Sequence, residues 1–243
     1  MMPRGLILAF GFLTRIPMPA LADFRQEELS SSAIWFPLVG LSIGLLLILV
    51  ALLGITASPW IAALLVVLLW LGISGGLHLD GAADLADGLG ASHRDPERLL
   101  AVMKDPHTGA FGVMAIVAIL LTKLVTVAWI VESPDIDLWV LLLIPAWARL
   151  GAIFWSQTLE PLAAGSGEAF VWQVDAKIYW IWSAALFLLS LIFVSFMFAL
   201  AAVGALLLWR SYLKWRLNGM SGDCLGAGIE YCECLMLLAI GLI

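Results

Sequence analysis

Long apolar runs dominate this chain and leave it a single suitable solvent. Ala33–Gly54, Pro59–Leu77, Ala110–Val131, Leu138–Gln157 and Cys224–Ile243 reach or approach the ~20 predominantly apolar residues that a helix needs to cross a bilayer. Ile178–Trp209 is a further apolar stretch of 32 residues. As one helix it would measure about 48 Å at 1.5 Å per residue, too long for a hydrocarbon core of ~30 Å. It predicts two spans with a tight turn near Ser195. The expected fold is an all-α, polytopic transmembrane helical bundle of about seven spans, with interfacial cytoplasmic helices, forming a single integral-membrane domain over residues 1–243. Composition agrees: 63% of residues are hydrophobic and only 12% charged, against about 25% charged in soluble domains. A globule of this size could not hide so much apolar surface from water.

The charged residues orient the bundle. With the N-terminus on the cytoplasmic side and seven alternating spans, Arg4, Arg15, Arg25, Arg94, Arg98, Lys104, Lys177, Arg210, Lys214 and Arg216 all fall inside. The outer loops carry no cation, and one is acidic (Glu132, Asp135, Asp137). This is the positive-inside pattern and predicts a multi-pass protein of the bacterial cytoplasmic (inner) membrane. Arg4, the apolar run to Leu13 and Ala20-Leu21-Ala22 imitate a signal peptide, but Arg15 and two prolines interrupt it, so a retained interfacial helix is expected. A net charge of −6 without a basic stripe excludes nucleic acid as a partner. Membrane lipid is the implied environment, and a homo-oligomer is left open. Cys224, Cys232 and Cys234 form no CxxC pair and read as small apolar helix residues.

Three inner segments are long enough for chemistry: His78–Gly109, Thr158–Lys177 and Arg210–Asp223. The first opens on GGLHLDGAADLADGLG, Gly75–Gly90, with Asp80, Asp84 and Asp87 at i, i+4 and i+7. On a helix those three share one face. Like charges so placed repel, and a hard divalent cation relieves the repulsion. Carboxylate oxygens suit Mg²⁺, which keeps waters and takes one or two carboxylates plus substrate phosphates. The reading is therefore a metal site at Asp80, Asp84 and Asp87 that acts on a phosphate or diphosphate ester, with Asp84 also in a catalytic role. Gly81, Ala82, Ala83 and Ala86 between them are too small to shield the carboxylates.

MKDPHTGAFG, Met103–Gly112, adds Lys104 as a phosphate contact, Asp105 as a further acid and His107 as a base, with Gly109 and Gly112 allowing close backbone approach. His78 and His93 fall in the same region, and His78 is assigned to substrate binding. A second acidic cluster, Gly219–Glu233, places Asp223 at the start of the last span, Glu230 seven residues on, and Glu233 three beyond. Carboxylates inside an apolar run are costly and functional by default. Lys123 and Arg149, the two cations within spans, are either their counter-charges or contacts to phosphate. Asp223, Glu230, Lys123 and Arg149 join His78 as candidate substrate-binding residues. Small-residue steps at Gly40/Gly44 and Gly72/Gly76 read as helix packing.

FLTRIPMP (Phe12–Pro19), WFPLVGLSIG (Trp35–Gly44), GGLHLDGAADLADG (Gly75–Gly88), MKDPHTGAFG and SGDCLGAGIE (Ser221–Glu230) together resemble the cobalamin synthase (adenosylcobinamide-GDP ribazoletransferase) family, in order over nearly the whole chain. The resemblance implies an inner-membrane, Mg²⁺-dependent enzyme of the last stage of cobalamin assembly. Such an enzyme joins adenosylcobinamide-GDP to α-ribazole or α-ribazole 5′-phosphate and releases GMP. It also implies Asp80, Asp84 and Asp87 as metal ligands, with Asp105, Asp223 and Glu230 as further candidates, and a Lys and an Arg where Lys123 and Arg149 stand. Pro106 and His107 depart from a Ser and an Arg in relatives, which weakens His107 as a base, and Asn218 and Met220 loosen the motif before Asp223. A CDP-alcohol phosphotransferase of lipid synthesis is the nearest alternative, but its Asp-Gly is followed by Ala-Arg, whereas Gly81 here precedes Ala82-Ala83-Asp84. A secondary transporter would show paired halves, and the sequence has none.

Overall fold

The computed structural model describes residues 2–21, 26–92, 95–162, 172 and 174–242. Arg25, Arg94, His93 and half of the inner segment Thr158–Lys177 lie outside the described residues. In chain order the helices are α1 (Arg4–Leu13), α2 (Gln26–Ser32), a short 3-10 turn (Ala33–Trp35), α3 (Phe36–Gly54), α4 (Pro59–Ser74), α5 (Leu77–Ala91), α6 (Pro96–Met103), α7 (Ala110–Glu132), α8 (Trp139–Thr158), α9 (Ala176–Phe193), α10 (Phe196–Arg216) and α11 (Gly222–Ile240). Among the described residues no strand forms beyond a single bridge between Pro161 and Met220.

Five of these helical runs are long and apolar enough to cross a membrane: Glu28–Gly54, which contains α3, and α7, α8, α9 and α10. α4 and α5 together make a sixth candidate, bent by 85°. The seventh expected span is α11, which has 19 residues but carries Asp223, Glu230 and Glu233. The long stretch Ile178–Trp209 does divide, as its length requires: α9 ends at Phe193, and Ser195 caps α10 by accepting from the Phe198 amide at 3.0 Å.

Contacts along the chain fix an alternating thread. Gly40 lies against Pro145 and Ala146 while Gly44 lies against Leu141 and Leu142, so α3 and α8 run antiparallel. The Trp182 indole donates to the Ile34 carbonyl, and Arg210 reaches Thr158, which brings the start of α9 and the end of α10 to the same end of the bundle. α8 is the axis, with almost all of its residues from Val140 to Ser156 buried. α3, α4, α7 and α9 are peripheral and expose Leu49, Leu53, Leu68, Leu121 and Ile192. An apolar band this extensive on several helices is the surface of a protein dissolved in lipid.

At the end of α4 the chain turns sharply because Gly75 and Gly76 both adopt left-handed backbone, φ 62° and 74°, a conformation costing other residues about 1–2 kcal/mol. α5 consequently lies across the end of the bundle instead of extending α4. α1 packs beside this turn, where the Arg15 amide donates to the Ile73 carbonyl at 2.7 Å.

The two small-residue steps separate. A methyl group on Gly40 or Gly44 would meet α8 backbone at about 2.5 Å, whereas one on Gly72 would meet nothing within 4 Å. Gly44→Ala is therefore expected to cost about 1–3 kcal/mol, since overpacked helices must move apart. Gly72→Ala should be neutral or stabilising, through helix propensity alone. Thermal unfolding of the purified variants in detergent checks both; equal midpoints would remove the assigned α3–α8 contact.

Candidate active site

The aspartates of α5 meet the N-terminus of α11. Gly81 lies against the Asp223 backbone, where a methyl group on it would come within 3.0 Å of the Asp223 Cα, and Gly226 packs in the same way against His78. The small residues of α5 thus serve close helix packing: Gly81, Ala82 and Ala83 are buried, Gly81 against α11 and Ala83 beside Gly112 of α7. They were expected to leave the carboxylates unshielded, and that is not the reason for their size. The start of α11 is held in place by Ser221, whose hydroxyl accepts from the Cys224 amide, and by Met220, which exchanges hydrogen bonds with Glu160 and Leu162 beyond α8.

Asp80 is exposed, while Asp84 and Asp223 are half-buried, and together they form an acidic rim. Burial, and then the like charges of Asp80, Asp223 and Asp87, push the Asp84 carboxyl up to about 6. A group so destabilised in its charged form is one that a cation would relieve.

Asp87 does not share this outlook. It is 8% exposed, and its two oxygens accept from the amides of Gly109 at 2.6 Å and Gly112 at 2.9 Å. Its negative charge therefore caps the start of α7, where unpaired amides and the helix dipole favour an anion. The close approach expected of Gly109 and Gly112 is approach to this carboxylate, since a side chain on either would strike it. Among the described residues no three acidic, histidine or cysteine side chains are gathered closely enough to hold a metal by themselves. Asp80, Asp84 and Asp87 share a helix but are not a ready-made cage. The donor set does fit Mg²⁺ held by one or two carboxylates, with waters and phosphate oxygens completing the shell.

The loop candidates stand apart. Lys104, Asp105 and His107 are exposed between α6 and α7. The His107 ring, 88% exposed, pairs with Asp105 at 2.7 Å, and the hydrogen bonds from His107 hold the Asp105 carboxyl below its usual range. Among the described residues none of the three is bonded to the rim, so the roles of His107 as a base and Asp105 as a further acid gain no support from this arrangement.

Lys123, Arg149 and Glu230 also lie away from the rim. Glu230 is seven residues below Asp223, about 10 Å along a helix, and Lys123 joins it at 2.8 Å and Glu233 at 2.6 Å. Arg149 pairs with Glu233 and reaches the Pro145 carbonyl. The Lys123 ammonium sits 4.3 Å from the centre of the Trp70 ring. All four charged groups are buried. Two cations and two anions cancel, which is the counter-charge role; with both cations engaged, the phosphate-contact reading is not the one realised. Glu233, which completes this network, belongs to the acidic cluster whose counter-charges the sequence placed at Lys123 and Arg149, although it was not named as a site residue.

His78 lies between the two groups. It is 4% exposed, and burial and the nearby charges of Arg149 and Lys123 push its imidazole well below the ordinary value, so it is neutral. Its Nδ1 has no hydrogen-bond partner among the described residues. Cys224, Cys232 and Cys234 are buried free thiols, as their helix positions predict.

The chain matches the cobalamin-5-phosphate synthase family over residues 5–241. It is 46% identical over 238 residues to the adenosylcobinamide-GDP ribazoletransferase of Thiobacillus denitrificans, covering 98% of this chain and 95% of that one. The enzyme of the same name from Laribacter hongkongensis is 49% identical over 245 residues, covering 98% and 96%. No solved structure matches the chain.

Proposed function

The chain belongs to the cobalamin-5-phosphate synthase family, and we propose that it catalyses the transfer for which its relatives are named, joining adenosylcobinamide-GDP to α-ribazole or its 5′-phosphate with release of GMP. The observation that carries this reading is the acidic rim, where α5 and α11 bring Asp80 and Asp84 beside Asp223. The proposal places the rim on the cytoplasmic face of the bacterial inner membrane. In its favour, Arg4, Arg15, Arg98, Lys104, Lys177, Arg210, Lys214 and Arg216 precede or follow spans at the same end of the bundle.

Mg²⁺ would be held by Asp80 and Asp84 with Asp223 alongside, and would supply neutralisation of charge on the diphosphate oxygens. The protein's part is positioning. Asp87 fixes the start of α7, and with it the loop bearing Lys104, against α5. A free ribose hydroxyl of the ribazole, not the 5′-oxygen, which carries the phosphate in one of the two acceptors, attacks the phosphorus bonded to the cobinamide arm; its proton is lost as the bridging bond to GMP breaks, and no covalent protein nucleophile is needed. The apolar helices around the rim restrict water, which disfavours hydrolysis.

Release of GMP from the two substrates by purified protein in detergent, stopped by chelation and restored by Mg²⁺, tests the proposal; metal-independent release refutes the cation site. The pH dependence follows from Asp84. Because its pKa is raised to about 6, the carboxyl is protonated below that value and a cation must displace the proton. Apparent Mg²⁺ affinity should fall about tenfold per pH unit below about 6 and level off above it. An affinity unchanged from about pH 7 to pH 5 would remove Asp84 from the metal.

A further inference from the structure

A cavity of about 210 Å³ opens between α1, α5 and α11. Phe12, Trp172, Leu225 and Ile229 contribute apolar wall, and His78 and Asp223 are its titratable lining residues. Two of the wall rings are firmly set: Trp172 meets Phe36 edge-on at 4.8 Å and Phe12 at 6.2 Å. Asp223 belongs at once to this cavity and to the rim, so a molecule inside has one end at the reacting groups. His78, 4% exposed, lines this largely apolar enclosure, and its Nδ1 has no hydrogen-bond partner among the described residues. A buried polar atom left unmatched is costly, and that cost is recovered when a ligand supplies the missing bond.

Resting on the ribazole-transfer reading, we propose that this cavity receives the aromatic base of the ribazole, its fused rings among Phe12, Trp172, Leu225 and Ile229 and its free ring nitrogen hydrogen-bonded to His78, with the ribose emerging beside Asp223. The count of polar atoms selects this occupant. A benzimidazole-type base attached to ribose has one free nitrogen and is otherwise hydrocarbon, which a single histidine and apolar walls can satisfy. The guanine of the other substrate carries donors and acceptors on several edges, and most would go unpaired here. A corrin macrocycle is too large for the volume. This arrangement points the attacking ribose hydroxyl toward the side on which Asp80 and Asp84 lie.

The test is two-substrate kinetics of the full chain in detergent, using α-ribazole and an analogue whose free ring nitrogen is replaced by C–H. In the wild-type protein the analogue should have a KM about tenfold higher, the worth of one hydrogen bond. His78→Ala should raise the KM for α-ribazole by about the same factor, no longer distinguish the two acceptors, and leave the KM for adenosylcobinamide-GDP unchanged. Ile229→Phe, which narrows the cavity without touching a polar atom, should raise the KM of both acceptors. The proposal is overturned if the wild type uses analogue and ribazole equally, a comparison that requires no variant to fold. It is also overturned if the His78→Ala effect falls on adenosylcobinamide-GDP, which makes guanine the occupant, or if Ile229→Phe leaves acceptor KM untouched, as a cavity filled by lipid would. Absence of GMP release by the wild type from its natural pair would instead refute the transfer reading itself.

Discussion

Asp84→Ala lowers ribazole transfer by about a hundred- to a thousandfold or more, the usual loss when a preorganised electrostatic contact to a reacting phosphate is removed, and it does so in a protein that remains folded. Among the described residues Asp84 makes no hydrogen bond that holds an element in place, and its charge is opposed by Asp80, Asp223 and Asp87. Its removal in metal-free protein should leave the thermal midpoint unchanged or raise it. Asp87→Ala gives the contrasting result. It strips the acceptor from the Gly109 and Gly112 amides and should cost about 1–3 kcal/mol of stability, with activity lost because the start of α7 and its preceding loop are released. Measuring GMP release and thermal unfolding on both variants separates a group that acts on substrate from one that positions the site. If Asp84→Ala turned over at near wild-type rate, the acidic rim would not be the reacting centre.

Arg149→Met is expected to remove most of the folded protein from the membrane fraction. Arg149 and Lys123 together balance Glu230 and Glu233, and deleting one cation leaves an uncompensated buried carboxylate. Breaking such a pair costs about 3–5 kcal/mol, a large share of the ~5–15 kcal/mol by which folded proteins are stable. The double variant Arg149→Met with Glu233→Leu removes one charge of each sign, and exchange of a buried pair for apolar side chains of similar volume is often neutral or stabilising. It should recover folding, and it should recover transfer to within about tenfold. Folded yield by size exclusion in detergent, followed by GMP release, gives the two readouts. A double variant that folds but is inactive would return Arg149 to contact with substrate.

Much of the architecture was legible before any coordinates. A run such as Leu138–Gln157 reports its own solvent, because the transfer free energy of each apolar side chain adds along the helix. The same additive logic divided Ile178–Trp209, since a helix of that length outruns the hydrocarbon core. It also missed the end of α4, placed at Leu77 instead of Ser74, because the left-handed pair Gly75–Gly76 is a feature of backbone conformation, not of hydropathy. That Asp80, Asp84 and Asp87 stand on one helix was readable from spacing alone, as was the likeness to the cobalamin synthase family from five ordered blocks.

What each charged group does was decided elsewhere. Asp80, Asp84 and Asp87 are chemically alike and equally spaced for one face, yet Asp87 became the cap of α7 because α7 begins within reach of it. Glu230 and Asp223 share a helix face, yet one joins a closed network with Lys123 and the other lies at the rim. His78, four residues before Ala82, owes its burial to Gly226 on a helix about 150 positions later in the chain. Sequence determined which segments are apolar enough to enter lipid and where the charged residues gather, for those depend on local composition and period. Tertiary structure alone chose their partners, because a hydrogen bond or ion pair forms only within a few ångströms, and that proximity is set by helices far apart in the chain.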